Sequence, residues 1–272
     1  MSTNLSKIQS LTIIILLSAG ECKAALYDRG NGLIFSDLTN TTWTQDANLF
    51  ATQALSNAHL VQDILTANFD NGLNASIVHD TPNGYDTVAN SGTYSLSTSD
   101  FDTSTGTMNW WGAKAWITYL NSTNYKGTNQ WRLPTESPNK ELVQLFNTEL
   151  KNPTYYLPAP NSSTINPDWT DKAPGVFQDA ANNYANNQFN NINTIKDKDI
   201  YWYSTENSLT ALTAWNYRAG TGYEVSTSKS TQFYAWAVHN GDIGLTAVPL
   251  PAVSGLFGVG LGLLALGRKR RI

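Results

Sequence analysis

Three histidines, His59, His79 and His239, are the first residues to try as metal ligands or proton carriers. Such chemistry needs them at fixed spacing, as in a His-x3-His pair on one helix face. No two stand that close, and the flanking patterns put His59 on a first helix, His79 in a loop and His239 after a last strand. No metal centre is expected. A Gly-x-Ser-x-Gly elbow and a phosphate loop are also missing from the sequence. Paired carboxylates could hydrolyse a glycoside if held at a set separation. Asp28, Asp37, Asp86, Asp100 and Asp102 are candidates, and Asp100-Phe101-Asp102 would set two carboxylates on one strand face. The stretch 178–199 is rich in oxygen donors, among them Asp179, Asn183 and Asn187. Such loops can hold calcium, but the spacing is not that of an EF-hand, and a solvated loop is the plainer reading. With Tyr184 nearby, the same amides suit sugar hydroxyls, so Asp179, Asn183, Tyr184 and Asn187 form the candidate ligand loop. No cofactor is expected, and calcium has no motif behind it.

Thiol chemistry depends on how the chain is processed. The one cysteine, Cys22, lies in an N-terminal segment that reads as a secretory signal peptide. Lys7 supplies the positive region, and the apolar run 11–19 is short for a membrane span. Small residues at Cys22 and Ala24 place cleavage after Ala24, and Glu21 argues against a lipoprotein site. At the other end, Val248-Pro249-Leu250-Pro251-Ala252 precedes a Gly-rich apolar stretch over 253–267. Arg268-Lys269-Arg270-Arg271 follows and would stay on the cytoplasmic side. The two prolines favour an extended segment before the helix, open to a protease. This layout resembles the PEP-CTERM sorting signal in its VPLPA variant. The resemblance implies removal of the tail by an exosortase, with an ordinary anchor as the alternative.

Both cleavages together would take six of the 17 basic residues and one of the 21 acidic ones, changing the net charge from −4 to −9. An acidic domain of that kind is a poor match for nucleic acid or an anionic membrane surface. Neutral polymers suit it better. A charged content of 14% with 11% aromatics indicates a folded, loop-rich extracellular domain with an aromatic core rather than a disordered chain.

The elements that must position these groups follow from periodicity. Gly30-Asn31-Gly32 is a turn leading into a strand over 33–35. Leu49, Phe50, Leu55, Leu60, Val61, Ile64 and Leu65 predict one helix over 46–68. The stretch 74–107 reads as a long loop with a strand at 92–96. A second helix over 109–121 buries Trp110, Ala113, Trp116, Ile117 and Leu120. Ser137 as cap and Pro138 at the first position predict a third helix reaching 150, with Leu142, Leu145 and Phe146 inward. Strand signals follow at 175–177, 200–204, 214–218 and 231–238, and Gly220 and Gly222 mark a turn. One domain is expected over 25–245, between a signal peptide at 1–24 and a sorting tail at 246–272.

Four segments carry a family resemblance. They are the run from Thr42-Trp43 to Asp46, Trp110-Trp111-Gly112-Ala113 with Trp116, Trp131-Arg132-Leu133-Pro134 with Glu141, and Tyr201-Trp202 with Tyr234 and Trp236. In this order they resemble the Lcl C-terminal domain family of secreted bacterial proteins. The resemblance implies an α+β, C-type lectin-like fold: two to three helices flanking small twisted antiparallel sheets with long loops, plus hydrophobic helices at both termini. The five residues 136–140 exceed the family's usual spacing, which leaves that loop's geometry open. The fold also hosts formylglycine-generating enzymes, but these depend on cysteines that the mature chain lacks.

From alternation, Trp131 and Leu133 should face one way and Arg132 the other. Arg132 is a rare cation here, suited to a bidentate carboxylate partner or to a ligand. The tryptophans read more readily as core than as sugar platforms. The expectation is a non-enzymatic, secreted or cell-surface protein. Its partners would be signal peptidase, an exosortase, and a neutral glycan or matrix proteins. It would touch the membrane only through its terminal segments.

Overall fold

The computed structural model describes residues 25–67, 76–150, 164, 188–192 and 200–244. The expected signal peptide, the strand at 175–177, the ligand loop with Asp179, Asn183, Tyr184 and Asn187, and the tail with Val248 to Arg271 lie outside the described residues. Among the described residues, no helix is long and apolar enough to cross a membrane.

The described residues form an α+β fold, with four helices and three small sheets. The chain opens with a hairpin, β1 (Leu26–Gly30) and β2 (Leu33–Ser36). Asn31 at φ 53° and Gly32 at φ 76° supply the left-handed pair that a two-residue hairpin turn demands. Next comes β3 (Thr41–Thr44), a strand that alternation had not singled out because all four residues are buried. It pairs with β2 on one side and with the last strand, β12 (Val238–Asn240), on the other. The start and end of the described domain therefore meet in one sheet, ordered β1-β2-β3-β12.

The single helix expected over 46–68 is two, α1 (Leu49–Ser56) and α2 (Leu60–Ala67). Asn57 ends the first in an extended conformation. Its side-chain Nδ2 donates to Asp63 Oδ2 at 2.8 Å, and its side-chain Oδ1 accepts the His59 N–H at 2.9 Å. A short polar side chain thus offers the backbone a local alternative to helix. Leu55, counted in the apolar stripe, is 88% exposed.

The expected loop 74–107 holds two hairpins. Strand β4 (Ile77–His79) pairs with β5 (Thr93–Ser95), and β6 (Phe101–Asp102) pairs with β7 (Thr107–Met108). Helix α3 (Trp110–Ser122) matches its prediction and is capped by Asn109, whose Oδ1 accepts the Gly112 N–H at 2.8 Å. Ser137 and Pro138 do not start the third helix. Lys140 at φ 47° turns the chain, and α4 begins at Glu141 (Glu141–Val143), widening into a π turn over Gln144–Glu149. The cause lies at Thr135, whose carbonyl accepts the Glu141 N–H at 3.1 Å and so closes the 136–140 turn ahead of the helix.

A six-stranded sheet completes the domain, ordered β10-β9-β8-β11-β7-β6. Its strands β8 (Ile200–Glu206) and β9 (Thr213–Arg218) were expected, whereas β10 (Tyr223–Ser228) was not. The signal at 231–238 divides between β11 (Phe233–Tyr234) in this sheet and β12 in the first. Seven of the nine tryptophans, at 43, 110, 111, 116, 131, 202 and 236, are almost wholly buried, so they are core rather than sugar platforms. One core cluster gathers around α3; the other surrounds Trp236, with Trp43 edge-on at 5.1 Å.

Candidate functional site

A cleft of about 390 Å³ opens between β4, the flank of α3, the 131–133 segment and the middle of β8. Its apolar floor includes Ile77, Ile117 and Leu133, and its polar groups are His79, Lys114, Thr118, Arg132 and Ser204. Each side of it leans on a buried charge cluster, one built on Arg132 and one beside Lys114.

Arg132 is set by the pleat of an extended segment. Its N–H and C=O both bond Val238 at 2.9 Å, which ties the Trp-Arg-Leu segment to β12. Trp131 and Leu133 are each 2% exposed, and Arg132 points the other way, as alternation required. The guanidinium forks onto Glu141, with Nη1 to Oε2 at 2.7 Å and Nη2 to Oε1 at 2.6 Å. Nε and Nη2 also donate to Asn240 Oδ1, and Nη1 donates to the Leu133 carbonyl. All five guanidinium N–H groups are thereby engaged. Glu141 further accepts from Thr41 Oγ1 at 3.0 Å and from the Thr135 N–H at 2.7 Å. Burial raises the Glu141 pKa, but the Arg132 bonds and charge, with those further donors, outweigh it and hold the carboxyl below its ordinary value.

The second cluster contains Lys229, which no motif or periodicity singles out. Its side chain and that of Asp80 are both 0% exposed. Lys229 Nζ lies 2.7 Å from Asp80 Oδ2 and 3.0 Å from Glu206 Oε1. The ring of Trp110 is 4.6 Å from the same nitrogen and that of Trp111 is 5.8 Å away. Asp80 also accepts the Trp111 Nε1–H at 2.8 Å and the Asn83 amide on both oxygens. Glu206 is driven up by burial and down by the Thr81 and Lys229 bonds, with a net lowering. Lys114 Nζ, 4.5 Å from the Trp110 ring centre, donates to the His79 carbonyl at 2.8 Å. Burial lowers its pKa, against the attraction of Asp80 and Glu206, and Lys229 adds to the lowering.

The carboxylates expected as candidates serve local turns. Asp28 accepts the Gly30 N–H and Asp37 the Ala25 N–H, each at 2.7 Å. Asp86 accepts from the Asn83 and Gly92 N–H groups. Asp100 closes a 3-10 turn over Thr98–Asp100 and holds Ser97 N, Asn109 Nδ2 and Tyr94 Oη. Asp102 lies on β6 and binds the Ser104 N–H and hydroxyl, so the two do not share a strand face. The histidines are likewise displaced: His59 falls in the break between α1 and α2, His79 on β4 and His239 on β12. Among the described residues, no group of three His, Cys, Asp or Glu is placed to hold a metal ion.

Trp43, Trp110, Ala113, Trp131, Leu133, Trp202 and Trp236 are all core. Asp46 orders the start of α1 by accepting from Asn48 N and Thr52 Oγ1. Pro134 uses its carbonyl to bind the Ser204 N–H at 2.8 Å. Comparison with family models, with curated proteins and with solved structures finds no match for this chain.

Proposed function

We propose that this is an exported, non-enzymatic protein of the cell surface or extracellular matrix, processed by signal peptidase and an exosortase, whose domain binds neutral glycan. The carrying observation is the tripartite tail of Val248-Pro249-Leu250-Pro251-Ala252, apolar stretch and Arg268-Lys269-Arg270-Arg271, set opposite an N-terminal signal peptide. Its resemblance to the PEP-CTERM signal, and that of the domain to the Lcl C-terminal family, support this reading. Helices beside small antiparallel sheets with long connections support a C-type lectin-like reading of the α+β fold. The cleft supports the glycan part, since an apolar floor with a few hydroxyl and cationic groups on its walls suits a sugar ring.

Export and binding have separate tests. In a host carrying an exosortase, C-terminal mapping of the released protein should find it ending at or near residues 248–252. A chain that keeps Arg268 to Arg271 outside the cell would overturn the processing. Oligosaccharide binding, screened with and without calcium, should be lost when Thr118→Trp fills the cleft. A blank screen of the unaltered protein would sink the glycan reading and leave export standing. Loss of matrix cohesion on deletion, with that blank screen, would then favour a purely adhesive partner to other matrix proteins. The hydrolase alternative has less support, since Asp100 and Asp102 are spent on turns.

A further inference from the structure

We propose that Lys229 and Asp80 condense into an intramolecular isopeptide bond, with Glu206 carrying the proton. A fully buried lysine is rare, and burying an ion pair costs several kcal/mol per ion before its partners compensate. Here the amine touches two carboxylates at once, 2.7 Å from Asp80 and 3.0 Å from Glu206, inside walls formed by Trp110 and Trp111. The excess carboxylate gives the site a proton acceptor beyond the one that is consumed.

The step balances without any co-reactant. Lys229 passes one proton along its short hydrogen bond to the Asp80 carboxylate, which yields a neutral amine beside a carboxylic acid. The amine nitrogen attacks Asp80 Cγ, and Glu206 takes the second proton from the attacking nitrogen. The negative oxygen that develops on Cγ lies within reach of donors already aimed at the carboxylate. These are Trp111 Nε1 at 2.8 Å and Asn83 Nδ2 at 3.2–3.3 Å. As the intermediate collapses, the C–O bond breaks and the leaving hydroxide takes the proton back from Glu206. One N–C bond forms, one C–O bond breaks, one water departs, and nothing is oxidised or reduced. Glu206 is 23% exposed, so that end of the cluster opens to solvent and lets the water out.

The bond would join residues 149 positions apart. It would tie the loop after β4 to the turn after β10. A chain whose only cysteine is Cys22 cannot cross-link this domain by a disulfide. An amide between side chains would supply the same restriction of the unfolded chain without a thiol, and no reductant would reverse it.

Peptide mapping of the full-length protein by mass spectrometry tests this. The expected result is a branched peptide linking Asp80 to Lys229, lighter by one water than its two parts. Glu206→Gln keeps the shape but removes the proton acceptor, so that variant should fold, give two separate peptides and melt lower, by on the order of 10 °C. Asp80→Asn should give the same branched peptide with loss of ammonia instead of water. Folded wild-type protein that yields only unlinked peptides would overturn the proposal. A Glu206→Gln variant linked as fully as wild type would overturn the role of Glu206.

Discussion

Arg132 and Lys229 are both cations drawn into the protein against carboxylates, and they resolve the problem in opposite ways. Arg132 is planar, and its fork meets one carboxylate edge to edge, with every N–H engaged. The Glu141 oxygens are shared between that fork and donors from Thr41 and Thr135. Nothing is left over to react, and the pair fixes where the 131–135 segment meets α4. Lys229 is a point charge between two carboxylates, with one acceptor more than it can neutralise. A saturated bidentate pair is structural, whereas a shared amine leaves protons free to move. Geometry of the cation and its burial together separate an inert site from a reactive one, since the Arg132 side chain is 26% exposed and that of Lys229 is 0% exposed.

The largest effect should come from breaking the saturated pair. Glu141→Ala leaves a guanidinium facing an empty, desolvated pocket and strands the Thr135 N–H, so stability should fall by about 3–5 kcal/mol. Chemical denaturation would measure it. A loss below about 1 kcal/mol would mean that water replaces the carboxylate freely, and that Arg132 is a surface cation rather than a clasp.

Arg132→Lys sharpens the comparison by turning a fork into a point charge. The ammonium has three donors and cannot meet both Glu141 oxygens and Asn240 together, so the expected loss is about 1–3 kcal/mol. If Lys proves equivalent, planarity is irrelevant at this site and the contrast with Lys229 fails. Oligosaccharide binding measured on the same variant separates the clasp from the cleft. Arg132 lines the cleft, so an affinity lost per folded molecule would show that it also serves the ligand, and an unchanged affinity that it serves the clasp alone.

How much of this could be read from sequence follows from the range of the interactions. Arg132 was legible because its neighbours Trp131 and Leu133 alternate with it and its partner lies nine residues on. The core tryptophans and α3 were legible because an apolar stripe is a local pattern. Lys229 was not, since it stands between Ser228 and Ser230 in what reads as a solvated turn. Its burial is decided by Asp80, 149 residues away. The break at Asn57 was overrun because Leu55 and Leu60 kept helical spacing, although Leu55 points to solvent. The last strand signal was seen but not divided, because sheet membership depends on partners as remote as β3 and β7.

Glu149 supplies the smallest effect and the missing third case, a buried carboxylate with no cation paired to it among the described residues. It lies eight residues beyond Glu141 in the same helical segment and is 8% exposed. Ser36 donates to its Oε1 at 2.9 Å, and Oε2 has no partner among the described residues. Burial, with Asp37 nearby, pushes its pKa from 4.5 up to about 7. The folded chain therefore keeps a proton that the unfolded chain has already released between those two values. Stability falls as pH rises through that window and levels off above it. The shift caps the effect on the order of 3 kcal/mol. Glu149→Gln cannot ionise, so it should flatten the decline. At pH 8 it should gain about 1 kcal/mol net, because the amide is also buried with an unmet polar group. Thermal melts of both proteins from pH 4 to 9 would measure this. If wild type and Glu149→Gln stay parallel across that range, Glu149 is ionised and hydrated in the fold. The difference between Glu141 and Glu149 would then owe nothing to the presence of Arg132.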